Sequence, residues 1–335
     1  MATAHSSSSV AIELLKPTTA TASLPKTLNP NSLSFRSSMK PNKFSVRSSS
    51  SSDHHVSPSV LKRRLSSGDA LYGMFLLSSS PTLAEIAGLA GYDYVVVDAE
   101  HGLGSVADSL PCLRALSAAR VPSVLRLPDS SPTYAKKALD LGPDAIMFPS
   151  VSSAAEAEAA VAACRYPPRG LRGAAHPIVR ASGYGTDDSY LARCEDDLMI
   201  ILQVESAAAV DSIEEIANVD GVDCIQMGPL DLSASMGYLW DPGNRKVREK
   251  LREAERRVLA VTKKKGCYLG GFAMPHDPPG VLKLRGYHMV AGAVDLGMFR
   301  KAAVEDVERF RKAVTDIGEE DNEMEKPSDE SYYSE

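Results

Sequence analysis

Cysteine is scarce in this chain and never paired. Cys112, Cys164, Cys194, Cys224 and Cys267 stand apart, with no C-x-x-C motif. That spacing argues against a zinc site or a disulfide framework and suits reduced, buried thiols. Long apolar stretches are missing too. None reaches the roughly 18 residues that a spanning helix needs, so no membrane role is expected. Positive charge is in deficit: the formal net charge is −6. A general binder of nucleic acid or another polyanion would carry the opposite balance.

The two ends differ from the middle. Residues 1–55 are rich in Ser, Thr and Ala, carry Lys16, Lys26, Arg36, Lys40, Lys43 and Arg47, and hold few acids. A Ser-rich, basic, acid-poor leader has the character of an organelle transit peptide. Hydroxylated residues outweigh arginines, which favours plastid over mitochondrion. Residues 317–335 hold Glu319, Glu320, Asp321, Glu323 and Glu325 and little that is apolar, so a solvated acidic tail is expected there.

Residues 56–316 alternate two textures. Short β-branched runs, the mark of buried parallel strands, occur at Leu71–Leu77, Tyr94–Asp98, Ser123–Leu127, Ala145–Pro149, Met199–Val204, Cys224–Met227, Tyr268–Phe272 and Met289–Val294. Helical spacing fills the intervals, from Pro81–Ala90 to Arg300–Val314. Eight strand-then-helix units within about 250 residues predict one closed (β/α)8 TIM barrel, with an open doubly wound α/β sheet as the alternative. The long stretch from Arg169 to Gly185 reads as an active-site lid, because loops of that length in compact domains are usually functional.

Barrel enzymes work at the C-terminal ends of their strands. There the sequence places Asp98-Ala-Glu-His-Gly102, Arg126, Gln203-Val-Glu205 and Gly228-Pro-Leu-Asp231. Glu205 and Asp231 follow adjacent strands, so their carboxylates can share a hard, octahedral cation such as Mg2+ or Mn2+, and Co2+ also fits. His101 is a histidine, the side-chain type best suited to act as a general base. Arg126 can stabilise a developing enolate oxygen, and Asp140 can orient His101. Each has a plainer role as well. Asp231 can cap a helix, Arg126 can close a salt bridge, His101 can be a hydrogen-bonded loop residue, and Asp140 can end a helix in solvent. No lysine falls at a clear strand end, which counts against Schiff-base chemistry.

These motifs occur in a familiar order. Together with Arg165-Tyr-Pro-Pro-Arg-Gly-Leu-Arg-Gly173 and the continuation to Gly237, they make the chain from about Val60 to Val314 resemble the HpcH/HpaI aldolases. The resemblance, to a plant plastid-type member, implies a divalent-metal-dependent lyase that cleaves a 4-hydroxy-2-oxo acid to pyruvate and an aldehyde through an enolate. It implies that His101 is the proton acceptor, that Asp140 raises its basicity and that Arg126 stabilises the transition state. Glu205 and Asp231 would hold the metal, while Gln203 and the Gly228–Asp231 loop, Leu230 included, would bind the 2-oxo acid. It also implies a homo-oligomer, commonly a hexamer that exchanges a terminal helix. The chain departs from the family pattern at Leu230 and across Ala174–Arg180, which bears on the choice of aldehyde.

Two other functions compete. A related lyase acting on an acyl-CoA thioester would want a basic patch for phosphates, and none is evident. A non-catalytic plastid binding or scaffold protein would have no need to keep His101, Arg126, Glu205 and Asp231 together.

Overall fold

A computed structural model of the chain describes residues 60–324, with side chains described to Lys312. The expected transit peptide and the last residues of the acidic tail lie outside the described residues. Eight strands, β1 (Leu71–Leu76), β2 (Tyr94–Asp98), β3 (Ser123–Arg126), β4 (Ala145–Phe148), β5 (Met199–Val204), β6 (Cys224–Met227), β7 (Tyr268–Phe272) and β8 (Met289–Val294), form a closed barrel in chain order. Every neighbouring pair is parallel, and Leu71 of β1 lies opposite Met289 of β8, which closes the ring and rules out the open sheet. Strands β1, β3 and β4 each stop one residue short of the expected end. Leu77 turns its N–H to the Asp295 carboxylate, and Pro149 has no N–H to offer.

Alternation along the strands makes two cores. Phe75, Tyr94, Val96, Val124, Met147, Met199 and Ile201 fill the barrel interior. Their sequence neighbours Val95, Val97, Leu125, Ile146, Ile200 and Leu202 face the surrounding helices. The glycines of β7 are a packing requirement. A Cβ on Gly270 would lie 2.4 Å from the Gln226 Oε1 atom, and one on Gly271 would lie 2.3 Å from the Tyr287 ring.

The floor of the barrel, at the N-terminal strand ends, is closed by a helix at Val60–Ser66. Leu61 and Leu65, 0% and 2% exposed, join the interior core. Lys62 pairs with Asp223 at 3.0 Å and Arg64 with Asp93 at 2.8 Å, fixing the plug in place. Burying each leucine contributes roughly 1.5–3 kcal/mol.

The same floor carries a fourfold motif. Gly91-Tyr-Asp93, Gly142-Pro-Asp144, Gly221-Val-Asp223 and Gly286-Tyr-His288 lead into β2, β4, β6 and β8. Each glycine adopts a positive φ (96°, 69°, 93° and 95°), a turn that other residues make only with strain. The residue two places on then accepts a backbone N–H from the preceding odd strand. Tyr72 donates to Asp93, Ser123 to Asp144 and Ile200 to Asp223, each at 2.8 Å, while Leu269 donates to His288 Nδ1 at 3.1 Å.

Three of the differences from expectation bear on the site. The unit after β5 is broken at Ser212 into Ala207–Asp211 and Ile213–Asn218. The Arg169–Gly185 stretch is not a lid over its own rim. It joins the helix Ala154–Cys164 to the start of β5 and therefore lies at the floor, where Arg172 donates to Leu139 O at 3.2 Å and Arg180 to Leu141 O at 2.5 Å. The last helix runs Asp295–Met324, past the boundary expected at residue 316, and leaves Phe299 and Phe310 exposed.

Candidate active site

At the opposite end, the rim, β2 finishes on Asp98, whose side chain is buried. The carboxylate accepts Arg126 Nε at 2.8 Å and Arg126 Nη2 at 2.5 Å, so the two strand ends lock into a bidentate pair. Oδ1 of Asp98 also accepts the backbone N–H of Glu100 at 3.0 Å and of His101 at 3.3 Å, which shapes the turn that presents both residues. Arg126 Nη1 lies 2.8 Å from Glu100 Oε2 and donates to Gln203 Oε1 at 3.3 Å; the guanidinium rests over the Phe75 ring at 4.9 Å. Burial opposes the Arg126 charge, but Asp98, Glu100 and Glu205 together outweigh it, and the guanidinium pKa stands above its ordinary value.

β5 supplies the next pair. Gln203 Nε2 donates to Glu205 Oε2, and Glu205 Oε1 accepts from Ser150 N at 2.8 Å and Ser150 Oγ at 2.7 Å. Burial pushes the Glu205 pKa up; the Ser150 hydrogen bonds lower it and the negative charge of Asp231 raises it further. Asp231 is exposed in the first turn of the helix Pro229–Ser235, which starts as soon as β6 ends. Gly228 passes so close to Glu205 that a Cβ there would sit 2.6 Å from Oε2. Leu230, 47% exposed, projects from the same turn.

His101 stands in the loop after β2 with its side chain 62% exposed and Nε2 3.8 Å from Glu100 Oε1. Glu100 has its pKa raised by burial first, with Glu205 adding to the rise and Arg126 and His101 opposing it. The structure thus brings His101, Arg126, Gln203, Glu205, Gly228, Leu230 and Asp231 to one rim. Asp140 is not among them. It closes the helix Pro132–Leu141 just before β4 begins, and so lies at the floor, 3.6 Å from Arg172. Within one chain it does not meet His101.

Glu100 and Ser150 received no role of their own from the sequence, and Asp98 stood there only as a second candidate base, not as the partner of Arg126. Asp98 was legible as the last residue of a strand in a charged motif. Glu100 was visible beside His101, yet only the fold shows it reaching Arg126. Ser150 sits in a run of serines, and nothing in that run singles it out.

The model of the HpcH/HpaI aldolase/citrate lyase family matches residues 71–302, the whole of the barrel. The chain belongs to that family. It is 33% identical over 250 residues to the 2-keto-3-deoxy-L-rhamnonate aldolase of Escherichia coli strain K12, covering 75% of this chain and 92% of that one. It is 34% identical over 244 residues to a hydroxypyruvate/pyruvate aldolase of Chromohalobacter salexigens, covering 73% and 94%. A crystal structure of an HpcH/HpaI aldolase/citrate lyase family protein from Burkholderia cenocepacia superposes with a TM-score of 0.69 at 37% identity, covering 75% of this chain and 98% of that one.

Proposed function

We propose that this HpcH/HpaI family member is a divalent-metal-dependent pyruvate aldolase, a carbon–carbon lyase that reversibly splits a 4-hydroxy-2-oxo acid into pyruvate and an aldehyde. One observation carries the reading. A carboxylate pair, Glu205 and Asp231, shares a rim with Arg126, whose charge Asp98 holds in place.

The carboxylates fit a hard cation. Glu205 is buried and feels the like charge of Asp231, an arrangement that a bound cation would relieve. Among the described residues no group of three or more His, Cys, Asp and Glu is placed to hold a metal, and Glu205 and Asp231 would be the protein's two donors. Two carboxylates leave the remaining positions of an octahedral ion to water and substrate oxygens. When bound, the ion would act as a Lewis acid toward the substrate's 2-oxo group. Mg2+, Mn2+ and Co2+ all suit oxygen donors.

The protein's own groups do the rest. Gln203 and the Gly228–Asp231 turn line the place where the 2-oxo acid binds. His101, its side chain open to solvent, takes the proton from the 4-hydroxyl as the carbon–carbon bond breaks and, as imidazolium, returns it to the enolate carbon to give pyruvate. Arg126 faces the oxygen that gains charge. Asp98 takes two of its five N–H groups and Gln203 a third, and Glu100 lies 2.8 Å from Nη1, which leaves one N–H on Nη2 for that oxygen.

Asp140 can raise the basicity of His101 only across a contact between chains, because its own chain holds it at the floor. That supports a homo-oligomer, as do the outward-facing Phe299 and Phe310 of the last helix. The acid-poor, Ser-rich leader supports delivery to a plastid.

Glu205→Ala and Asp231→Ala should each abolish turnover and divalent-ion binding without unfolding the barrel. Full activity in excess chelator, with no metal found in the protein, would sink the reading.

A further inference from the structure

Ser150 is an exposed residue with an unusual backbone. Its φ is 52°, in the left-handed region that side chains other than glycine enter at some strain. Two neighbours hold the turn. Ser130 Oγ donates to Pro149 O at 2.5 Å, and Val151 N donates to Gln203 O at 3.0 Å, tying the segment to β5 just before Glu205. The outcome of this turn is that Ser150 N and Ser150 Oγ both donate to one oxygen, Glu205 Oε1, at 2.8 and 2.7 Å. A glycine would make the same turn without strain and supply the same N–H. What serine adds is the hydroxyl.

That hydroxyl has something to oppose. Glu205 lies within reach of the like charge of Asp231, and an unrestrained glutamate side chain would swing away from it. With Ser150 on Oε1 and Gln203 on Oε2, the carboxylate is held by both oxygens before any cation arrives. We infer that Ser150 is a positioning residue that sets the divalent-cation affinity of the Glu205–Asp231 pair. The inference rests on the metal reading given above. Groups that orient a metal ligand change affinity by about 10–100-fold when they are removed.

The test is Mn2+ titration of the metal-free full-length protein, following the free-ion electron paramagnetic resonance signal, with melting curves to confirm folding. Three variants are compared: Ser150→Ala keeps the left-handed turn and loses the hydroxyl, Ser150→Gly loses hydroxyl and strain together, and Glu205→Ala defines the site. Both Ser150 variants should bind Mn2+ about tenfold or more weakly than wild type. If Ser150→Gly binds like wild type while Ser150→Ala does not, strain is the cause and the inference is overturned. If both bind like wild type while Glu205→Ala loses the ion, the inference fails and the metal reading stands. Wild-type Mn2+ affinity in Glu205→Ala would overturn both.

Discussion

Arg126 and Asp98 meet through two hydrogen bonds, Nε to Oδ1 at 2.8 Å and Nη2 to Oδ2 at 2.5 Å, at a point where Asp98 is 1% exposed. The pair fixes the plane of the guanidinium as well as its charge. Lysine at position 126 would keep the charge and lose the fork. Arg126→Lys should therefore slow pyruvate methyl-proton exchange by on the order of 100-fold, the effect of losing one well-placed donor to a developing oxyanion. The exchange, followed by NMR, reports enolate formation without an aldehyde. Wild-type exchange in the variant would remove Arg126 from the chemistry.

His101 and Asp140 sit at opposite ends of one barrel, so their cooperation requires two chains. His101→Ala should slow the same exchange by about 100-fold or more, as loss of a general base does. Asp140→Ala should also be impaired. Mixing the two variants after dissociation and reassembly should restore activity, because some sites then combine an intact His101 with another chain's Asp140. A mixture no more active than its components would confine the site to one chain.

At the floor, His288 takes the place that aspartate holds in the other three Gly-x-Asp turns. Its Nδ1 accepts the Leu269 N–H at 3.1 Å, which only a ring unprotonated at that nitrogen can do. Burial holds its pKa below the ordinary value. Between that folded value and the unfolded value of about 6.5, the unfolded chain binds more protons. The contribution of this buried, uncharged ring is thus complete above about pH 6.5 and falls as pH drops toward the folded pKa. His288→Asp should flatten that part of the melting-temperature profile. An unchanged profile would place the acid sensitivity elsewhere.

Removing residues 1–55 should leave melting temperature and activity intact, since a transit peptide acts before the mature protein works. Removing residues 1–66 should not. It takes Leu61 and Leu65 out of the barrel interior, at about 1.5–3 kcal/mol each. Equal melting temperatures for the two truncations would mean that the plug contributes nothing.

Period and punctuation made the barrel readable. All eight strands begin where their β-branched runs begin, because parallel strands covered on both faces must be apolar throughout. The rim was readable because a polar residue directly after such a run has nowhere else to point. Asp140 lies apart from the rim of its own chain for the complementary reason. A helix that follows a strand returns to the floor, so its last turn cannot share the rim of its own chain. Ser150 was invisible because its role depends on a backbone angle and on a partner 55 residues away. The Gly-x-Asp repeat lay in plain view, yet only the hydrogen bonds show why it recurs.

That repeat ties the strands two by two: β1 with β2, β3 with β4, β5 with β6 and β7 with β8. Between the pairs the same turns offer backbone carbonyls instead, Met199 N donating to Asp144 O at 3.2 Å and Tyr268 N to Asp223 O at 2.8 Å, so these seams lack the side-chain tie. Opening the chain between β4 and β5 leaves each joint whole within one fragment, whereas opening it between β3 and β4 separates Ser123 from Asp144. Two separately expressed halves meeting at the first seam should reassemble into a barrel more readily than two meeting at the second. The molecule is in that sense four copies of one joint, and recombination between relatives would find its tolerated crossover points at the seams.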